Sequence, residues 1–150
     1  KIDEYQVDFV KITENTLEGP LFLKSVMEAK KRGYLVSGHV PIDLPIADSA
    51  NIGFSSIEHA SYLLRLGSDE HAMVKELLAG KISKAQADQL YFKNFDQAKA
   101  IEGYKMLAEK KVAVTPTLIG GRQLAFLDEN NHKQDDFLKY LTRRFVSNYQ

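Results

Sequence analysis

Short β-rich runs alternate with helical segments along the first 59 residues, and each helical segment stops at a glycine. The spacing of apolar residues predicts a helix over 21–32 that ends at Gly33, and a shorter helix over 46–51 that ends at Gly53. The strands predicted around these helices cover residues 7–12, 34–39 and 54–58. Because the crossover between parallel strands is usually a helix, this order predicts a parallel sheet in an α/β fold.

The next fifty residues contain no strand-like run. Their pattern predicts three helices over 69–79, 83–91 and 94–110, with N-caps at Ser68, Ser83 and Asn94. Strand character returns over 111–118, and two further helices are predicted over 122–127 and 135–147. We therefore expect a single domain over residues 1–150, with a helical insertion at about 61–111.

Composition narrows the classes of function. The chain carries 20 Lys and Arg against 20 Asp and Glu, which argues against broad binding to nucleic acid or to a membrane surface. It has no Cys, so any metal must be held by His, by carboxylate or by a rarer ligand. The apolar runs are too short for a membrane helix, which predicts a soluble protein whose compartment, cytoplasmic or periplasmic, stays open.

Three ionisable residues occupy the same place in successive strand units. Lys11 lies near the end of the first predicted strand, His39 ends the second, and His59 follows the third. Side chains at the carboxyl ends of parallel strands converge, and ligands of α/β folds and barrels bind there. The three residues therefore predict a site, with structural roles for each of them as the alternative.

Lys11 interrupts an apolar run that we expect to form a buried strand. A buried ammonium must be paired, neutral or chemically converted, because burying an unpaired charge is costly. Reaction with carbon dioxide would convert it to an anionic carbamate, whose two oxygens can bridge divalent metals. With His39 and His59 as nitrogen ligands, such a site suits zinc, manganese or iron.

Four short segments follow one another at the spacing of β/α units: DFVKI at 8–12, GHVP at 38–41, GFSSIEH at 53–59 and VTPTL at 114–118. Together they resemble the central part of the amidohydrolase superfamily, in particular its imidazolonepropionase-like and prolidase-like members. That family consists of metal-dependent hydrolases on a distorted (β/α)8 barrel. The resemblance implies a partial TIM barrel of about four parallel strands, the fourth to the seventh of the full barrel, with surrounding helices.

The resemblance also implies ligands and a reaction. Lys11 would be the carbamate that bridges two metals, and His39 and His59 would bind the second metal. The reaction would be hydrolysis of amide or other C–N bonds, in a cyclic amide or a dipeptide, by a metal-activated water. The cofactor would be a divalent metal, with zinc as the leading candidate. The complete enzyme would hold one or two ions, and the site in this chain would be incomplete.

Two family features are missing from the sequence. There is no His-x-His pair, which the first strand of the family supplies, and Asp128, Asp135 and Asp136 do not end a strand as the eighth-strand Asp does. His71 and His132 are predicted at the surface. Since a complete barrel needs about 200 to 400 residues, the resemblance implies a fragment of a larger enzyme, inactive alone and without a catalytic residue of its own.

Other polar residues near the histidines are given structural or surface roles. Glu58 directly precedes His59, so strand alternation predicts that it faces the other way and serves as a hydrogen-bonding or ion-pair partner. Tyr62, Arg65 and Arg122 could reach a substrate from loops, but we expect them at the ordinary surface.

Two other functions stay open at this stage. One is a non-catalytic α/β interaction module, in which Lys11, His39 and His59 are structural and the insertion binds a protein. The other is a flavodoxin-like ligand-binding domain, which lacks support because no Gly-rich phosphate loop follows a strand. If the chain is a partial barrel, its exposed edges predict self-association. The resemblance also implies that a small amide or dipeptide binds as substrate.

Overall fold

A computed structural model of the chain describes residues 2–13, 17–126, 128–129 and 133–149. The chain divides into two compact units, with the boundary between Pro116 and Thr117. The strands all lie in the first unit: β1 (Phe9–Ile12), β2 (Leu35–Gly38), β3 (Ser56–Glu58) and β4 (Ala113–Thr115). The predicted order of strands and helices in this unit is confirmed.

The first unit also contains helices α1 (Ile2–Tyr5), α2 (Gly19–Lys31), α3 (Ile46–Asn51), α4 (Glu70–Leu78), α5 (Lys84–Lys93) and α6 (Gln97–Glu109). A 3-10 helix, Ala60–Gly67, joins β3 to α4 and was not predicted, nor was α1. The second unit contains α7 (Leu118–Ala125), a 3-10 helix (Asp136–Tyr140) and α8 (Arg143–Tyr149). No helix in the described ranges is both long and apolar enough to cross a membrane.

The four strands form one parallel sheet in the order β1-β2-β3-β4. This confirms the predicted α/β fold with about four parallel strands and surrounding helices. The register places Lys11 beside Ser37, Ser37 beside Ser56, and Ser56 beside Ala113. Glu58 follows Ser56 by two residues, so strand alternation puts it on the same face of the sheet as Lys11.

The two faces of the sheet differ in burial. Ile12, Val36 and Ile57 point into the core, where they share one apolar cluster with Phe22 and Val26 of α2. On the opposite face, which we call the open face, Phe9 is 51% exposed and Leu35 is 63% exposed. The prediction of a buried first strand is therefore wrong for this face, although parallel sheets are usually covered on both faces.

Gly38 allows β1 and β2 to approach each other where β2 ends. Its φ angle is +131°, and a Cβ at this position would overlap the carbonyl oxygen of Ile12. The same oxygen accepts a hydrogen bond from the backbone N–H of His39 at 3.0 Å. Glycine at position 38 therefore fixes where the chain places the first candidate histidine.

Side-chain caps define the helices of the insertion. Ser83 forms a capping box with Gln86 at the start of α5, which confirms the predicted cap. The caps predicted at Ser68 and Asn94 are wrong, because Asp69 and Asp96 accept the capping hydrogen bonds. In both cases the carboxylate immediately precedes the first helical residue, where its oxygen reaches the free backbone N–H groups.

Candidate metal centre

His39 and His59 meet at the carboxyl ends of the neighbouring strands β2 and β3. Their Nε2 atoms are 2.8 Å apart, and their ring centroids are 4.6 Å apart at an interplanar angle of 62°. At this distance one Nε2 donates its proton to the lone pair of the other. The predicted convergence of these two histidines is confirmed.

Glu58 belongs to the same cluster, contrary to the prediction that it faces away from His59. His39, Glu58 and His59 each offer one ligand atom, and these three atoms lie within 4.8 Å of one another. The reason is the backbone at His59, whose φ of +71° breaks the extended alternation as soon as β3 ends. The backbone N–H groups of His59 and Ala60 donate to Thr115 and Pro116, which anchors this turn.

Lys11 reaches the cluster through Glu58. Its Nζ lies 2.5 Å from Oε2 of Glu58, and the Ser37 hydroxyl donates to Oε1 at 3.5 Å. The predicted ion-pair role of Glu58 is thus confirmed, and Lys11 is paired, one of the three states considered for it. Its side chain is 43% exposed, so the prediction that it is buried is wrong.

The charges around Glu58 keep its carboxylate ionised. The hydrogen bond from the Lys11 ammonium is the main cause that lowers the pKa of Glu58, and the nearby His39 and His59 lower it further. Partial burial opposes this effect and is outweighed. Glu58 therefore offers a charged oxygen beside the two imidazoles.

The aromatic ring of Tyr62 lies beside both histidines. Its ring centroid lies 5.5 Å from that of His39 and 6.3 Å from that of His59. Partial burial raises the pKa of Tyr62, so the phenol is neutral at physiological pH. The residue is half-buried, which corrects the prediction of an ordinary surface position, and it also lines a cleft of about 340 Å³ with Ile42, Arg65 and Tyr91.

Arg65 is buried, so its predicted position at the surface is wrong. It is 5% exposed, and its Nε donates to Oε1 of Glu70 at 2.9 Å. The guanidinium also donates to the carbonyl oxygens of Val40, at 3.0 Å, and of Leu44. Arg65 therefore fixes the loop that follows His39.

Three further residues considered in the sequence are exposed or lie outside the described residues. His71 and Arg122 are exposed, as predicted. His132 lies outside the described residues. The carbamate at Lys11 stays a prediction.

The donor atoms of the cluster fit a divalent metal. Two imidazole nitrogens and one carboxylate oxygen are ligands that zinc accepts, and the absence of thiolate leaves manganese and iron as options. The two Nε2 atoms face each other at 2.8 Å. The group of His39, Glu58 and His59 could therefore hold a metal ion.

Comparisons of the chain with protein-family models, with curated proteins and with solved structures give no match. In the residues that the structure describes, the chain is an α/β protein with four parallel strands and a candidate metal centre at the carboxyl ends of β2 and β3.

Proposed function

We propose that this chain forms part of the barrel of a metal-dependent hydrolase that acts on amide or other C–N bonds, in a cyclic amide or a dipeptide. One observation carries the proposal: the Nε2 atoms of His39 and His59 are 2.8 Å apart at the carboxyl ends of adjacent parallel strands, and the Glu58 carboxylate lies beside them. Active sites of β/α barrels lie at this end of the strands.

The order of the described strands supports a barrel. They pair in chain order, β1-β2-β3-β4, as the strands of a β/α barrel do. A doubly wound sheet reverses its strand order at the switch point where ligands bind, and the four described strands contain no such reversal. This favours a barrel over the flavodoxin-like alternative.

The open face supports the same proposal. Inside a β/α barrel, one face of the sheet lines the interior and the other packs against helices. Here the core cluster lies on one face, and the other face changes from apolar Phe9 and Leu35 at its amino end to polar Lys11 and Glu58 toward its carboxyl end. This gradient suits a barrel whose amino end is filled by apolar side chains and whose carboxyl end binds ligand.

The chain's own residues would bind the metal and shape its surroundings. His39 and His59 would hold the ion, and the Tyr62 ring would shield the imidazoles on one side. When bound, a divalent metal lowers the pKa of water and polarises the carbonyl under attack. The cleft beside Tyr62, about 340 Å³ in volume, is within the size range of small-molecule sites.

The proposal is tested in the complete enzyme by His39→Ala and His59→Ala, with His71→Ala as the matched control. Hydrolysis of a panel of dipeptides, cyclic ureides and lactams is measured together with zinc content. We expect each of the first two variants to lose about 100-fold or more in activity and to lose metal, whereas His71→Ala keeps both.

Two results would contradict the proposal. Unchanged hydrolysis in both site variants would favour the non-catalytic interaction module, in which the histidines are structural. Two tightly bound metals and strong amidase activity in the 150-residue chain by itself would contradict the idea that it is one part of a larger barrel.

A further inference from the structure

We propose that Glu58, and not Lys11, is the third ligand of a single divalent ion bound by His39 and His59, and that Lys11 is a positioning residue that competes with the metal for the Glu58 carboxylate. The inference rests on the metal site of the proposed function but not on the reaction. It departs from the resemblance, which assigns the third ligand to a carbamate on Lys11.

The distances favour Glu58 as a ligand. Zinc binds nitrogen and oxygen ligands at about 2.0 to 2.2 Å, so two ligands of one ion lie at most about 4.4 Å apart. The ligand atoms of His39, Glu58 and His59 already lie within 4.8 Å of one another. The three atoms are therefore close to the separations that one ion requires.

The contact of Lys11 with Glu58 suits an ammonium and gives Lys11 a role other than metal ligand. The Lys11 ammonium lies against Oε2 of Glu58 at 2.5 Å. A carbamate is anionic, and at the same place it would repel the Glu58 carboxylate instead of attracting it. An ammonium has no lone pair and cannot bind metal, so in the observed arrangement Lys11 only orients the carboxylate.

Lys11 is also able to leave when a metal arrives. Its side chain is 43% exposed, whereas that of Glu58 is 13% exposed. The ammonium can therefore move into water while the carboxylate stays beside the histidines. A cation and an ammonium compete for one carboxylate, so removal of the ammonium strengthens metal binding.

The two assignments predict opposite effects of the same variant. We measure Zn²⁺ affinity of the chain by isothermal titration calorimetry and Co²⁺ coordination by absorption spectroscopy, in wild type, Glu58→Gln and Lys11→Met. We expect Glu58→Gln to weaken Zn²⁺ binding by about tenfold or more and to change the Co²⁺ spectrum. We expect Lys11→Met to bind Zn²⁺ at least as tightly as wild type, and up to about tenfold more tightly.

The matched controls are Glu102→Gln and Lys105→Met, which remove the partners of an exposed ion pair of 2.8 Å elsewhere in the chain. Both should bind Zn²⁺ like wild type. Circular dichroism checks that each variant is folded. Glu58→Asp keeps a carboxylate and should retain more Zn²⁺ affinity than Glu58→Gln, which gives a second comparison if Glu58→Gln is destabilised.

The inference is overturned if Lys11→Met abolishes Zn²⁺ binding while Glu58→Gln binds normally, or if added bicarbonate raises the affinity, because both results assign the ligand to a carbamate. Loss of binding in His39→Ala and His59→Ala, together with normal binding in Glu58→Gln, overturns this inference and leaves the metal site of the proposed function intact. No Zn²⁺ binding by the wild-type chain overturns this inference, whereas the proposed function is decided by the histidine variants of the complete enzyme.

Discussion

The Lys11 ammonium contacts the Glu58 carboxylate at 2.5 Å although their strands, β1 and β3, do not pair with each other. Ser37, on the intervening strand β2, donates to the second carboxylate oxygen at 3.5 Å. The polar contact thus spans three strands along the open face. It connects the edge strand to the residues beside His39 and His59.

Gly38→Ala should destabilise the first unit strongly. The residue has φ +131°, and the new Cβ would overlap the Ile12 carbonyl oxygen, a backbone atom that moves only if β1 and β2 separate. We expect the free energy of unfolding in urea to fall by about 3 kcal/mol or more. Gly33→Ala is the control, because its φ is +86° but its surroundings are open, and it should cost about 1 to 2 kcal/mol. Equal losses would mean that the close approach at Gly38 is unimportant.

Arg65→Met should also be strongly destabilising. It removes the partner of the buried Glu70 carboxylate and leaves the carbonyl of Val40 without this donor. Breaking a buried ion pair costs about 3 to 5 kcal/mol, and chemical denaturation should show a loss of this size. Arg32→Met removes an exposed guanidinium that pairs with Glu28 at 2.7 Å, and it should cost far less, because water screens exposed ion pairs. A similar cost for both variants would argue against a structural role for the buried pair.

Ser83→Ala tests the capping box of α5. The Ser83 hydroxyl accepts from the Gln86 backbone at 3.2 Å, and the Gln86 side chain accepts in return from the Ser83 backbone at 2.8 Å. Thermal unfolding should report a loss of about 1 kcal/mol. Ser25→Ala lies inside α2, where its hydroxyl only bonds back to the Leu21 carbonyl, and should be neutral or slightly stabilising. The opposite ranking would contradict the cap.

Tyr34→Phe should raise the pKa of Asp3. The Tyr34 hydroxyl donates to Asp3 at 2.9 Å and is the main cause that lowers the pKa of this carboxyl, with Arg32 as a further cause. Because the folded pKa lies below the unfolded value of about 3.9, Asp3 contributes stability above that value and loses it as the pH falls through the folded pKa. Carboxyl ¹³C NMR titration should give a higher midpoint in the variant, whereas Tyr5→Phe, at an exposed position, should match wild type. An unchanged midpoint in Tyr34→Phe would refute the assigned cause.

Leu35→Lys should reduce self-association of the chain. Leu35 and Phe9 are paired in register on the open face, and both are largely exposed. We expect a second copy to cover this apolar surface, because parallel sheets are normally buried on both faces. Sedimentation velocity at several concentrations should show association of wild type and its loss in Leu35→Lys. Leu78→Lys changes an equally exposed leucine of α4 and should associate like wild type; a wild-type monomer at all concentrations would contradict the expectation.

The spacing of apolar residues and the order of strands and helices were enough to predict some parts of the fold and of the site. The bounds of α3 were predicted as observed, since apolar spacing ends just before Gly53. The meeting of His39 and His59 followed from their places at strand ends, which the topology brings together. These features need only the chain order and the period of each element.

Other parts depended on contacts between distant residues. The run around Lys11 reads equally well as a strand buried on both faces or on one, and the sheet leaves one face exposed. The side on which Glu58 lies depends on the positive φ of His59, which strand alternation does not contain. The burial of Arg65 depends on Glu70 and on carbonyls of the loop after β2.

Residues of the core and residues of the open face alternate along β2 and β3. Val36 and Ile57 hold the core, whereas their immediate neighbours Ser37 and Glu58 lie on the open face. Mutations at the second pair can alter what is bound without removing apolar contacts from the first pair. Selection can therefore change the chemistry of this sheet in small steps while the same core continues to fold it.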